Sequence, residues 1–91
     1  MTRVPVTSSD VSSVMYDTEN MLLEVDFVKN GPYVYFHVPE RIYLDFMAAE
    51  SKGKFVYHVL RQGYNYNKGP MAAAKEVGTW IPSFEVFEVQ P

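Results

Sequence analysis

The stretch MLLEVDFVKNGPYVYFHV (residues 21–38) decides the fold. Leu23, Val25 and Phe27 alternate with Glu24 and Asp26, the period of a half-buried strand. Asn30-Gly31 is a pair favoured in tight hairpin turns. With the turn centred there, Phe27 faces Val34, Val25 faces Phe36 and Leu23 faces Val38, and six apolar side chains share one face. Tyr33, Tyr35 and His37 then fall on the opposite face, beside Val28, Asp26 and Glu24. This register predicts that Tyr33 and Tyr35 point away from the main core, with Asp26 near Tyr35 and Glu24 paired with His37. A slip by one residue would exchange the two faces.

Upstream, residues 11–16 read as a short strand and Asp17-Thr18-Glu19-Asn20 as a turn by composition. Residues 1–10 read as a flexible polar lead-in. Downstream the period changes. Pro39 suits a first helical position and Glu40 favours a helix N-terminus. Ile42, Phe46 and Ala49 form a stripe with Tyr43 and Met47 beside it, which predicts a helix over 39–50. Ser51 or Gly53 can cap a second helix over 54–62, with Phe55, Val56, Val59 and Leu60 inward and Gly63 as its stop. Lys54, His58 and Arg61 share the opposite helical face. Residues 64–70 read as a loop, 71–76 as a helical turn and 83–90 as a possible last strand. The fold class is α+β: a three-stranded antiparallel meander with two helices on one face, plus a C-terminal extension with a possible extra strand.

Ninety-one residues make one domain, able to bury roughly 60–65% of the unfolded surface without staples. Apolar content of 47% with 21% charged residues excludes a disordered chain. With no cysteine, disulfides and thiolate catalysis are excluded. The first ten residues, MTRVPVTSSD, hold no apolar run of the kind a signal peptide needs. Apolar stretches fall far short of the roughly 20 residues that cross a membrane. A cytoplasmic protein with no membrane partner is the expectation.

Catalytic material is thin. His37 and His58 lie on different elements without a second ligand at metal spacing. Serines are plentiful, but none sits in a nucleophile elbow, and Gly53 stands alone in SKGK where a phosphate loop would need several glycines. The sequence reads as non-enzymatic, with no metal and no cofactor.

The net charge of −3 hides a split. Residues 1–50 carry eight acids against three bases; residues 51–75 carry five bases and no acid; residues 76–91 carry three acids and no base. Within the middle block, Lys52, Lys54, His58, Arg61 and Lys68 are interleaved with Tyr57, Tyr64 and Tyr66. Bases that neutralise phosphate beside rings that stack suit RNA. Against it stands an overall acidic chain with a sequence pI near 5.2. The other reading is a protein interface. In the tail, SFEVFEV is polar on neither face and so needs a cover, its own sheet or another chain. Trp80, Phe84, Phe87 and Val89 would build that interface, whether with a second copy or with another protein, and the acidic first half is a further candidate contact surface.

Several of these motifs, in this order, resemble the KTSC domain, named from the C-terminal segment of some lysyl-tRNA synthetases and found also as single-domain bacterial and phage proteins. They are Ser12-Ser13 with Tyr16-Asp17; Leu23-Glu24-Val25-Asp26-Phe27; Tyr33-x-Tyr35 with Val38-Pro39; and Ser51-Lys52-Gly53-Lys54-Phe55 leading to Leu60-Arg61 and Tyr64. The resemblance covers about residues 11–66 and leaves 67–91 as an extension. It implies no established activity. RNA binding has been suggested for the family, and carried onto this chain it points to Tyr33, Tyr35, Lys52, Lys54, Arg61 and Tyr64. A phage-borne member could equally act as an inhibitor of a host protein. The register above favours the later residues and gives Tyr33 and Tyr35 a structural role.

Overall fold

The computed structural model describes residues 2–76. Five antiparallel strands lie in the sheet in chain order: β1 (Val4–Pro5), β2 (Val11–Asp17), β3 (Leu22–Phe27), β4 (Gly31–Tyr35) and β5 (Tyr66–Lys68). Between β4 and β5 come α1 (Glu40–Ala48) and a longer helical run over 52–63. That run starts as α2 (Lys52–Phe55), widens into a π turn (Val56–Leu60) and closes as α3 (Arg61–Gly63). Helix α4 (Met71–Glu76) follows β5.

The class is α+β, as the sequence predicts, but the sheet has five strands rather than three. The lead-in contributes β1, which pairs Val4 with Val14, and the expected 64–70 loop contains β5, which pairs Tyr66 with Tyr35. Both are too short to show a hydrophobic period. The helices at 40–48 and 52–63 fall where the apolar stripes put them. Ser51 Oγ caps the second by accepting from the Lys54 N–H at 3.2 Å.

The decisive hairpin turns at Val28-Lys29-Asn30, not at Asn30-Gly31. Gly31 is the first residue of β4, and its φ of 78° supplies the left-handed conformation that closes a three-residue hairpin. Leu23 therefore pairs with Tyr35, Glu24 with Val34 and Val25 with Tyr33. The register differs from the expected one by three residues, an odd number, so β4 is turned over. Tyr35 joins Leu23 and Val25 in the main core and is 2% exposed. Val34 and Phe36 go to the other face. The expected pairings of Asp26 with Tyr35 and Glu24 with His37 do not form: Asp26 faces Pro32, and His37 is exposed beyond the strand end with φ 59°.

Each face of the sheet is covered. On the first, Val14, Leu23, Val25 and Tyr35 pack under Phe46 of α1 and Val56 and Leu60 of the 52–63 helix. Tyr16 stacks on Tyr43 with centroids 4.6 Å apart, and its hydroxyl donates to the Val38 carbonyl at 2.6 Å. On the second face, Leu22, Val34 and Phe36 pack with Met71 at the start of α4, so the helices are not confined to one side. Glu24 lies among them, 1% exposed. Its Oε1 accepts from the Met71 N–H at 2.8 Å. Its Oε2 lies 2.7 Å from Arg3 Nη1, off the line of a hydrogen bond, so charge attraction alone compensates that oxygen. The preceding turn is held by the buried Asp17 carboxylate, which accepts from the Glu19 and Asn20 backbone N–H groups at 3.0 and 3.3 Å.

Candidate functional site

The first face is not fully closed. Between the β3–β4 hairpin and the 52–63 helix lies a groove of about 810 Å³. Its floor is aromatic. Tyr66 lies 5.3 Å from Tyr35 and 5.9 Å from Tyr33, centroid to centroid, and Phe27 meets Tyr33 edge-on at 5.5 Å. The turned-over register makes this floor, since it brings Tyr33 and Tyr35 to the helix-facing side beside β5. Burial pushes the Tyr35 hydroxyl pKa well above that of a free tyrosine; Tyr66 and Tyr33 add to the rise and Arg61 opposes it.

The helical wall supplies Lys54, His58 and Arg61, as their shared helical face predicts, and adds Gly53, Val56 and Tyr57. The π turn lies in this wall: the Arg61 N–H reaches back five residues to the Val56 carbonyl. Three consecutive residues, Val56, Tyr57 and His58, thus line one groove, and π turns of this kind recur at functional sites. The Arg61 guanidinium carbon lies 5.8 Å from the Tyr57 ring centroid, and His58 meets the same ring edge-on at 5.1 Å. Lys29 and Asn30 form the hairpin rim, and Ser9 and Asp10 close one end.

Other predicted residues stand elsewhere. Lys52 is committed to α1: its Nζ donates to the Met47 and Ala49 carbonyls at 3.0 and 2.7 Å, satisfying the helix C-terminus. Tyr64 is half-buried against the main core. Lys68 is exposed on the edge strand opposite Tyr33 and does not line the groove. Trp80, Phe84, Phe87 and Val89 lie outside the described residues. Sequence reasoning missed Lys29 and Asp10, which belong to loops far from the basic block and reach the groove only through the hairpin register. Among the described residues there is no cluster of His, Cys, Asp and Glu able to hold a metal ion, and no helix is long and apolar enough to cross a membrane.

The KTSC domain profile matches residues 7–64 of the chain. The chain belongs to the KTSC domain family. Those bounds run from just before β2 to the end of the groove-forming helix, so the groove's basic wall and the Tyr33-x-Tyr35 motif lie inside the KTSC domain, while β5 and α4 follow it. A crystal structure of a KTSC domain protein from Yersinia pestis is similar at 40% identity with a TM-score of 0.72, covering 76% of this chain and 97% of that one. An uncharacterized protein of Stutzerimonas stutzeri is 36% identical over 67 residues, covering 72% of this chain and 94% of its own. A protein of Tsukamurella paurometabola is 35% identical over 57 residues, covering 63% and 85%.

Proposed function

We propose that this KTSC domain is a non-enzymatic binding module whose groove takes a short single-stranded segment of RNA. One observation carries the reading. Lys29, Lys54, His58 and Arg61 converge with the rings of Tyr33 and Tyr57 around one cleft, while Asp10 is the only acid lining it among the described residues. The lining is thus net positive in a chain whose total charge is −3. Cations neutralise phosphates and rings stack on bases, the two parts of single-strand recognition. A volume of about 810 Å³ lies within the range of small-ligand sites, too little for a duplex.

The test is fluorescence anisotropy with a labelled RNA oligomer across a salt series. Wild type should bind more weakly as salt rises, with a log–log slope near −0.7 for each phosphate contacted. Lys54→Glu and Arg61→Glu should each weaken binding at least tenfold and flatten that slope. Lys68→Glu, outside the groove, should change little. Unaltered binding in Lys54→Glu and Arg61→Glu would sink the reading.

A protein partner is the second reading. Val28 and Tyr57, both on the groove, are 57% and 54% exposed, more apolar surface than a purely phosphate-binding cleft needs. A partner or second copy seated there would be lost on Val28→Asp and would respond weakly to salt. The C-terminal tail residues would serve the same reading from outside the described region.

A further inference from the structure

Asp10 is out of place in a cleft for phosphates, and its placement is firm. The Asp10 N–H donates to Ser8 Oγ at 3.1 Å, and the Asp10 carbonyl accepts from the Val28 N–H at 2.9 Å. The backbone is therefore held between the β1–β2 connection and the hairpin rim. The carboxylate lies against the start of α2, so close that a Cβ on Gly53 would collide with it. It lines the groove, and among the described residues it makes no side-chain hydrogen bond or ion pair. Arg61 is eight residues further along the helix, about 12 Å at 1.5 Å per residue.

The backbone places this exposed carboxylate at the groove end, where it repels phosphate. A ligand group that contacts it favourably is a hydrogen-bond donor. On an RNA strand whose phosphates lie toward Lys54 and Arg61, the sugar supplies such a donor, the 2′-hydroxyl, which DNA lacks. Carboxylates read this same hydroxyl in dinucleotide sites. We infer that Asp10 makes the groove select RNA over DNA by accepting a hydrogen bond from a ribose 2′-hydroxyl. Gly53 is the companion to this role, because any side chain there would push the carboxylate aside. The inference rests on the proposed reading of the groove as a nucleic-acid site.

The experiment compares one short sequence as RNA, DNA and 2′-fluoro RNA, the last keeping the RNA-like sugar but unable to donate. Anisotropy is read for wild type, Asp10→Ala, Asp10→Asn and Gly53→Ala. Wild type should prefer RNA about tenfold over both other strands, the size of one hydrogen bond to a charged group. Asp10→Ala should bring the three strands together and strengthen DNA binding, since a negative charge leaves the cleft. Asp10→Asn should keep part of the preference through its amide oxygen. Gly53→Ala should lose it with the charge unchanged. If 2′-fluoro RNA binds wild type as RNA does, or Asp10→Ala keeps the preference, the inference falls and the groove reading stands. If a base preference disappears with Asp10→Ala while RNA and DNA bind alike, the carboxylate reads a base amine and the inference also falls. If no strand binds wild type, both fall together.

Discussion

The two faces of the sheet exclude water by different means. The first carries Val14, Leu23, Val25 and Tyr35 under two helices and is closed by area: rings and branched chains in wide contact. The second has a smaller apolar set, Leu22, Val34, Phe36 and Met71, with a buried carboxylate in its midst. There the work of covering is directed. Glu24 fixes where α4 begins through the Met71 N–H and draws in the N-terminal arm through Arg3, whose side chain is 44% exposed. A face closed by area tolerates an opening at its end, and the groove is that opening. A face closed by one polar group depends on that group.

This contrast can be broken from the apolar side first. Phe46→Ala removes a fully buried ring from the first face and should cost about 3–5 kcal/mol in denaturant unfolding. Its hydrogen-exchange signature should be global, because that cluster joins both long helices to the sheet. A smaller loss confined to α1 would mean that the first face is less cooperative than its packing implies.

Next in size is Glu24→Ala, at about 2–3 kcal/mol, which leaves the Met71 N–H buried without an acceptor. Exchange should quicken in α4 well before α1. Arg3→Ala should cost less, about 1 kcal/mol, since the guanidinium it removes is 44% exposed and its loss opens the Glu24 Oε2 to water. If Arg3→Ala equalled Glu24→Ala, the ion pair rather than the helix start would be holding the second face.

Smallest at neutral pH is the effect that sharpens the groove end of the first face. The Tyr35 hydroxyl keeps its proton in the folded chain to higher pH than in the unfolded one, because burial penalises the phenolate. Its contribution is complete below pH 10 and falls as pH rises past that point, by up to about 1.4 kcal/mol per pH unit. Tyr35→Phe should flatten the decline in melting temperature above pH 10 and leave the neutral side of the curve parallel to wild type.

The helices were legible because α1 and the 52–63 segment show their inward residues at the helical period; Phe46, Val56 and Leu60 are buried as expected. The basic wall followed from the same period. The hairpin register was not legible. Leu22 and Leu23 are both buried, so β3 offers an apolar residue to either face, and the alternation of 33–38 fits two registers differing by an odd step. What selects between them is Met71, 37 positions after Val34 in the chain, together with Gly31 in its left-handed conformation. The same ambiguity hid Tyr33 and Tyr35 as groove residues, and with them the meaning of Lys29 and Asp10. No sequence signal announces the π turn.

The bond from the Met71 N–H to Glu24 joins residues 47 positions apart, and this sets an order of events during synthesis. A ribosome adding 5–20 residues per second takes roughly 2 to 9 seconds to go from one to the other. Through that interval β3 can pair with β2 and the first face can begin to collapse, while Leu22 and the Glu24 carboxylate still wait for the chain that will cover them. A nascent chain halted before Met71 therefore presents a bare, partly apolar sheet surface to whatever chaperone or protease meets it. Arrival of Met71 is the step that covers the second face.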